Sequence, residues 1–285
     1  MSTVTAPDGR ALGVAQWGAP DGAPVFFLHG TPGSRLNRPD EAALAAAGLR
    51  VVTYDRPGYG ASDRRPGRRV VDCAGDVAAI ADALGIDRFA VSGWSGGGPH
   101  ALAIAATLGD RVSAAECLAG RAPFDAEGLD WWAEMRSDIS EEFGWALHGE
   151  QLLHDNVLRK AELDLVRIAR KRAGVAVPEP PAVGPPPTDA ELAFVAAMRD
   201  TYTAGVWGRV DDVLSLMVGW GFSLDEIAIP VTVRYGTGDS WVSVQHGAWL
   251  GAHLPNAKVV VTPGGGHDID PGTQIENLLT LVAAG

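Results

Sequence analysis

The sequence predicts an α/β fold: a mainly parallel sheet with helices on both faces, interrupted by an inserted helical segment. Three observations carry this expectation. Short apolar runs alternate with stretches of helical periodicity through residues 1–120. The same alternation resumes over residues 223–285. The intervening residues 121–222 read as helical and hold five of the nine tryptophans: Trp131, Trp132, Trp145, Trp207 and Trp220. The chain therefore divides into a first core half (1–120), a helical cap insertion (121–222) and a second core half (223–285).

Each element has its own signal. Ser2 to Gly18 contains the turn Pro7-Asp8-Gly9 between two candidate strands, so it reads as a leading hairpin that forms an antiparallel edge. Val25 to Leu28 is a short apolar run between Pro24 and Gly30, as expected of a buried strand. An Ala-rich helix follows over Pro39 to Ala47, closed by Gly48. Arg50 to Tyr54 is the next strand, and Val70 to Leu84 is a helix that stops at Gly85. Phe89 to Ser92 is a strand, Gly98 to Leu108 a helix ended by Gly109, and Val112 to Leu118 a strand. Inside the insertion, the run Pro178 to Pro187 reads as a stiff linker or exposed loop. After it come a strand (Val231 to Tyr235), a helix (Val244 to Leu254), a strand (Lys258 to Val261) and a helix (Thr273 to Ala284). Apolar strands separated by helices imply a parallel sheet covered on both faces.

Composition narrows the function classes. The 285 residues are 46% hydrophobic and 20% charged, enough for a sizeable core. A net charge of −12 repels phosphate backbones and anionic lipid, which argues against nucleic-acid and membrane partners. The expected partner, on the chemistry at the strand ends, is a small-molecule substrate. Two basic clusters, Arg64/Arg65/Arg68/Arg69 and Arg167/Arg170/Lys171/Arg172, read as a solvated loop and a solvated helix face. Cys73 and Cys117 sit in apolar segments and read as buried free thiols. No apolar run is long enough to span a membrane, and the start MSTVTAPDGR lacks the pattern of a secretory signal. The expected location is the cytoplasm. No His/Cys grouping has ligand spacing, so neither metal nor cofactor is expected. Oligomeric state is not legible.

The chemistry concentrates at strand ends. Gly93-Trp94-Ser95-Gly96-Gly97 matches G-x-S-x-G between a predicted strand and a predicted helix, the setting of a nucleophile elbow. A sharp strand-to-helix turn projects the Ser95 hydroxyl at a helix N-terminus, where free N–H groups favour developing negative charge. A serine needs a base. Of seven histidines, His267 lies in a Gly-rich loop directly after the last predicted strand. His100 reads as a helix-surface or capping residue, His148 and His154 fall in the insertion, and His246 and His253 read as solvated on a late helix. The base needs an acid to orient it. Asp239, just past the strand Val231 to Tyr235, is the first candidate, and Asp125 the second. Oxyanion donors are expected from the N–H of Gly96 and from the loop His29-Gly30-Thr31-Pro32-Gly33. Pro32 has no N–H, so Thr31 is the better donor there.

Taken together, His29-Gly30-Thr31-Pro32-Gly33, Asp55-Arg56-Pro57-Gly58-Tyr59-Gly60-Ala61-Ser62, Gly93-Trp94-Ser95-Gly96-Gly97 and the Asp239/His267 pair resemble the capped α/β-hydrolase fold family, which includes esterases, proline iminopeptidases, non-haem haloperoxidases and epoxide hydrolases. The order Ser95, Asp239, His267 is that of the family. The resemblance implies a Ser-His-Asp triad and hydrolytic chemistry. The serine at position 95 departs from epoxide hydrolases and haloalkane dehalogenases of this fold, which use aspartate. Thr31 stands where proline iminopeptidases usually carry Gly. An aminopeptidase also needs a carboxylate for the substrate ammonium, and Glu134, Glu141, Glu142 and Glu150 read as solvated helix residues.

The resulting expectation is a serine hydrolase of small to medium, mostly apolar carboxylic esters or lactones, working through an acyl-enzyme on Ser95. The alternatives are an aminopeptidase or a carbon–carbon bond hydrolase with the same triad, and a non-enzymatic ligand receptor on this fold. Trp94, Trp131 and Trp132 are candidate pocket residues, with packing as the other reading.

Overall fold

The computed structural model describes residues 1–172 and 196–285, with side chains described for 1–163 and 196–285. The Pro178 to Pro187 run lies outside the described residues, as do the side chains of the second basic cluster.

Eight strands form one sheet in the order β1-β2-β4-β3-β5-β6-β7-β8. β1 (Ser2–Thr5) and β2 (Ala11–Gly18) make the expected leading hairpin, and β2 also runs antiparallel to β4 (Leu49–Tyr54). All later pairs are parallel: β3 (Ala23–Leu28) with β4 and β5 (Phe89–Trp94), then β6 (Val112–Leu118), β7 (Val231–Gly236) and β8 (Ala257–Thr262). Parallel neighbours need crossovers, and helices supply them. In the core these are α1 (Glu41–Ala46), α2 (Cys73–Ala83) and α3 (Gly97–Thr107). The connection between β6 and β7, where the insertion is expected, carries α4 (Ser137–Leu147), α5 (Glu150–Arg172) and α6 (Trp207–Leu216). The chain closes with α7 (Val244–His253) and α8 (Pro271–Ala283).

Caps explain several boundaries. Asp40 accepts the Ala43 N–H and starts α1 later than its Ala-rich run suggests. Asp270 accepts the Thr273 N–H and Pro271 takes the first helical position, so α8 begins two residues earlier than its apolar periodicity. The stretch from Val70 opens with a single 3₁₀ turn before α2.

Each face of the sheet is buried against helices. One core gathers Leu12, Phe26, Val52, Val77, Phe89 and Leu102 and extends into the insertion through Trp131, Phe143 and Val210. The opposite core holds Val25, Phe27, Leu44, Val51, Leu278 and Leu281. The last strand departs from the expectation of a buried element. β8 is an open edge of the sheet, and Val259 and Val261 stay 41% and 42% exposed although α7 packs close to Val259 through Gly251, because no described strand pairs with the outer side of β8.

Candidate active site

The strand β5 ends at Trp94 and α3 begins at Gly97, so the reversal falls on Ser95 and Gly96. Ser95 has a φ of 54°, a left-handed value that a side chain adopts only where the surroundings hold it. Two hydrogen bonds hold it: Ser95 N–H donates to Leu118 O at 2.8 Å, and Gly98 N–H to Ser95 O at 2.9 Å. The flanking glycines answer to close approaches. A Cβ at Gly93 would run into the Gly97 carbonyl, and one at Gly96 into Thr31 Oγ1.

The loops after β7 and β8 bring their side chains to this turn. His267 Nε2 lies 3.0 Å from Ser95 Oγ, and His267 Nδ1 lies 2.7 Å from Asp239 Oδ2. The other Asp239 oxygen accepts the N–H groups of Trp241 (2.8 Å) and Val242 (3.0 Å). Burial alone raises the Asp239 carboxyl, but the hydrogen bond and charge of His267 and these two N–H groups outweigh it and hold it below its usual range. An ionised carboxylate only accepts, so Nδ1 carries the proton, Nε2 is left as an acceptor and the Ser95 hydroxyl donates to it. That arrangement can draw a proton from the hydroxyl as it attacks a carbonyl.

The candidate oxyanion donors also meet. Thr31 N lies 3.2 Å from the position a Gly96 Cβ would take. Neither the Thr31 nor the Gly96 N–H has a hydrogen-bond partner among the described residues. Asp125 lies elsewhere. It lines a groove of about 630 Å³ between the entry and exit of the insertion, with Arg69, Trp220, Phe222 and Trp249, and none of Ser95, Asp239 or His267 lines that groove.

The tryptophans take distinct places. Trp94 donates its indole N–H to His267 O at 3.1 Å and sits 5.4 Å from the imidazole. Trp131 is only 3% exposed, donates to Ala122 O and packs edge-on against Phe124, Trp132 and Phe143. Trp132 is half-buried against Phe124 and Trp131.

Several expectations are corrected. Arg68 is buried and pairs with Asp212 at 2.6 Å, because a carboxylate from the insertion reaches a loop that reads as solvated. Glu142 is buried too, gripped by Arg209 at 2.5 Å and approached by Lys160. His100 is buried rather than on the helix surface, with Nδ1 2.8 Å from Gly96 O. His246 is fully buried: Nδ1 accepts the Ala122 N–H, Nε2 meets Trp131 O, and burial pushes its pKa down to about 3. The neighbours that bury these histidines come from remote segments.

Two residues near the triad candidates escaped the sequence reading. Trp241 stacks on His267 with centroids 5.4 Å apart and planes 6° from parallel, opposite in sequence to the Trp94 contact. Arg121 is buried and donates to Trp241 O at 3.0 Å, which ties the acid loop to the end of β6. A Trp two residues after Asp239 was the available signal for the first.

A sequence model of the alpha/beta hydrolase fold family matches residues 23–269. The chain belongs to this family. A non-heme chloroperoxidase of Streptomyces lividans is 36% identical over 126 residues, a match that covers 43% of this chain and 46% of the relative. A bifunctional esterase/perhydrolase of Acinetobacter calcoaceticus is 26% identical over 98% of this chain and 96% of its own. Among solved structures, the esterase RhEst1 of Rhodococcus sp. ECU1013 superposes with a TM-score of 0.71 over 100% of this chain and 99% of its own, at 24% identity. In this α/β-hydrolase, as in the fold generally, the elements that meet at the turn after β5 are strand ends and the loops that leave them. No helix among its described residues is long and apolar enough to cross a membrane.

Proposed function

We propose that this α/β-hydrolase is a serine esterase acting on small to medium, mostly apolar carboxylic esters or lactones. The observation that carries the reading is the continuous chain Ser95 Oγ, His267, Asp239 at 3.0 and 2.7 Å, with Ser95 held at a left-handed φ. Ser95 attacks the ester carbonyl. His267 takes the hydroxyl proton on Nε2 and delivers it to the leaving alkoxide. Asp239 keeps Nδ1 protonated and stabilises the imidazolium. The N–H groups of Thr31 and Gly96 stabilise the tetrahedral oxyanion. Water then enters by the same route, with His267 as base, and releases the acid.

The insertion serves as a cap over this centre in our reading, as residues 121–222 of the division proposed from sequence. The aminopeptidase alternative is disfavoured by charge. Glu142 is committed to Arg209, Glu150 to Arg64 and Glu134 to the Ser243 hydroxyl, so three of its four candidate ammonium partners are taken. Trp94 and Trp132 remain the candidate pocket residues of the three tryptophans, since each keeps a partly exposed face and Trp131 does not.

The test is Ser95→Ala. The wild type is expected to take one fluorophosphonate adduct by intact mass and to hydrolyse p-nitrophenyl butyrate. The variant should lose the adduct and at least about 10³-fold of kcat with unchanged circular dichroism. Undiminished turnover in the variant would refute the reading.

A further inference from the structure

Thr31 is not held only by its own loop. Its hydroxyl donates to Asp212 Oδ2 at 2.6 Å, across 181 residues of sequence, and Asp212 lies on α6 of the insertion. The same carboxylate accepts from Arg56 Nε (3.1 Å) and Nη2 (2.5 Å), from Arg68 Nη2 (2.6 Å) and from the Tyr59 hydroxyl (2.9 Å). Arg56 then turns its remaining hydrogens onto the oxyanion loop. Nη2 donates to Gly30 O at 2.9 Å, and Nη1 donates to His29 O. Arg56 and Asp212 are both 0% exposed. Burial opposes ionisation of Asp212, but Arg56 and Arg68 outweigh it and hold the carboxyl well below its usual range.

We propose that Asp212, acting with Arg56, is a positioning residue for the oxyanion hole, so that the seated insertion sets the geometry of the Thr31 donor. This rests on the reading of Ser95 as the nucleophile. Every backbone carbonyl of the loop from His29 to Gly30 is tied to Arg56, and the side chain of Thr31 is tied to Asp212. The Thr31 N–H is thereby left unpaired beside Gly96. Arg56 and Arg68 share the Asp212 carboxylate, and Arg56 is the cation that faces the donor loop. Fixed positive charge at that place favours negative charge in front of them and needs no reorganisation during the reaction. A brace that merely joined two layers would not have to grip the residue that donates.

The experiment compares Thr31→Val, Thr31→Ser, Asp212→Asn and Asp211→Asn with the wild type and Ser95→Ala. Asp211 is the neighbour of Asp212 and pairs with Arg64 at 2.8 Å, so Asp211→Asn loosens the same helix without touching the loop. The readouts are kcat and KM for p-nitrophenyl butyrate and the inhibition constant of phenylboronic acid, which mimics the tetrahedral state. Thr31→Val keeps the N–H and the shape and removes the hydroxyl. It should lower kcat about tenfold, leave KM within about threefold and weaken the boronic acid about tenfold. Asp212→Asn should act in the same direction or more strongly. Asp211→Asn should stay near wild type, and Thr31→Ser, which restores a hydroxyl that can donate to Asp212, should recover most of what Thr31→Val loses. Wild-type kcat in Thr31→Val, or equal losses in Asp211→Asn and Asp212→Asn, would overturn the proposal. If Asp212→Asn does not fold, the Val and Ser pair at position 31 still decides. Turnover that survives Ser95→Ala would instead remove the underlying reading of the nucleophile, an outcome the other variants cannot produce.

Discussion

At the scale of the residue, the site depends on very short approaches. Gly96 and Thr31 face each other so closely that a methyl group on Gly96 would collide with the Thr31 side chain. Gly96→Ala is therefore expected to push the two proposed oxyanion donors apart, at a cost of tenfold or more in kcat on the scale of roughly 10² for a misplaced donor. Stopped-flow measurement of fluorophosphonate labelling checks this, because labelling passes through the same tetrahedral geometry. An unchanged labelling rate would mean that Gly96 is needed only for folding the turn. The imidazole of His267 lies against two indoles, Trp94 and Trp241, and the residue is only 7% exposed. Flat aromatic faces favour a cation beside them, which suits the proposed role of His267 as a base that becomes charged.

At the scale of the element, the insertion is joined to itself and to the core by ion pairs of unequal worth. Glu142 on α4 and Arg209 on α6 are both nearly buried and meet at 2.5 Å. Glu142→Gln leaves a buried guanidinium without its carboxylate, and the expected loss is about 3 kcal/mol of unfolding free energy in urea melts. Arg136 and Asp138 also meet at 2.5 Å, but with 39% and 50% of their side chains exposed. Asp138→Asn should change stability by no more than about 0.5 kcal/mol. Similar losses in the two variants would show that burial does not set the strength of these pairs. The contrast also explains why the four basic residues from Arg64 to Arg69 misled a composition reading. A run of arginines marks a solvated loop only when no carboxylate arrives from elsewhere, and here Asp211 and Asp212 both arrive on α6.

At the scale of the whole molecule, the core holds histidines that stay neutral. Burial pushes His29 well below its ordinary value and His100 and His246 to about 3. A depressed folded-state pKa means that the unfolded chain binds the proton first. Each of the three therefore contributes stability that is fully present above about pH 6.5 and is lost as pH falls toward the folded value. The expected slope is roughly 1.4 kcal/mol per pH unit for each histidine in that window. Urea unfolding at pH 7, 6 and 5 measures it, and a flat profile between pH 6 and 5 would contradict the neutral buried state. Asp212 adds to the same trend only at lower pH, since its carboxyl is also depressed and its contribution fades below the ordinary carboxylate range.

The order of strands and helices, the leading hairpin, the turn carrying Ser95 and the loops carrying Asp239 and His267 were legible in the chain alone. They depend on local chemistry: apolar runs of strand length, glycines that permit tight reversal, and loops that follow strand ends. What touches what across the fold was not. Thr31 meets Asp212 over 181 residues, Glu116 meets Arg234 over 118 and Glu142 meets Arg209 over 67. A charged residue looks the same in sequence whether it faces water or a remote partner. Its burial is decided only when distant elements pack together and exclude solvent. Packing thus turned Arg68, Glu142 and His246 from solvated side chains into buried ones, and brought Asp212 from the insertion to the loop of the candidate oxyanion donor.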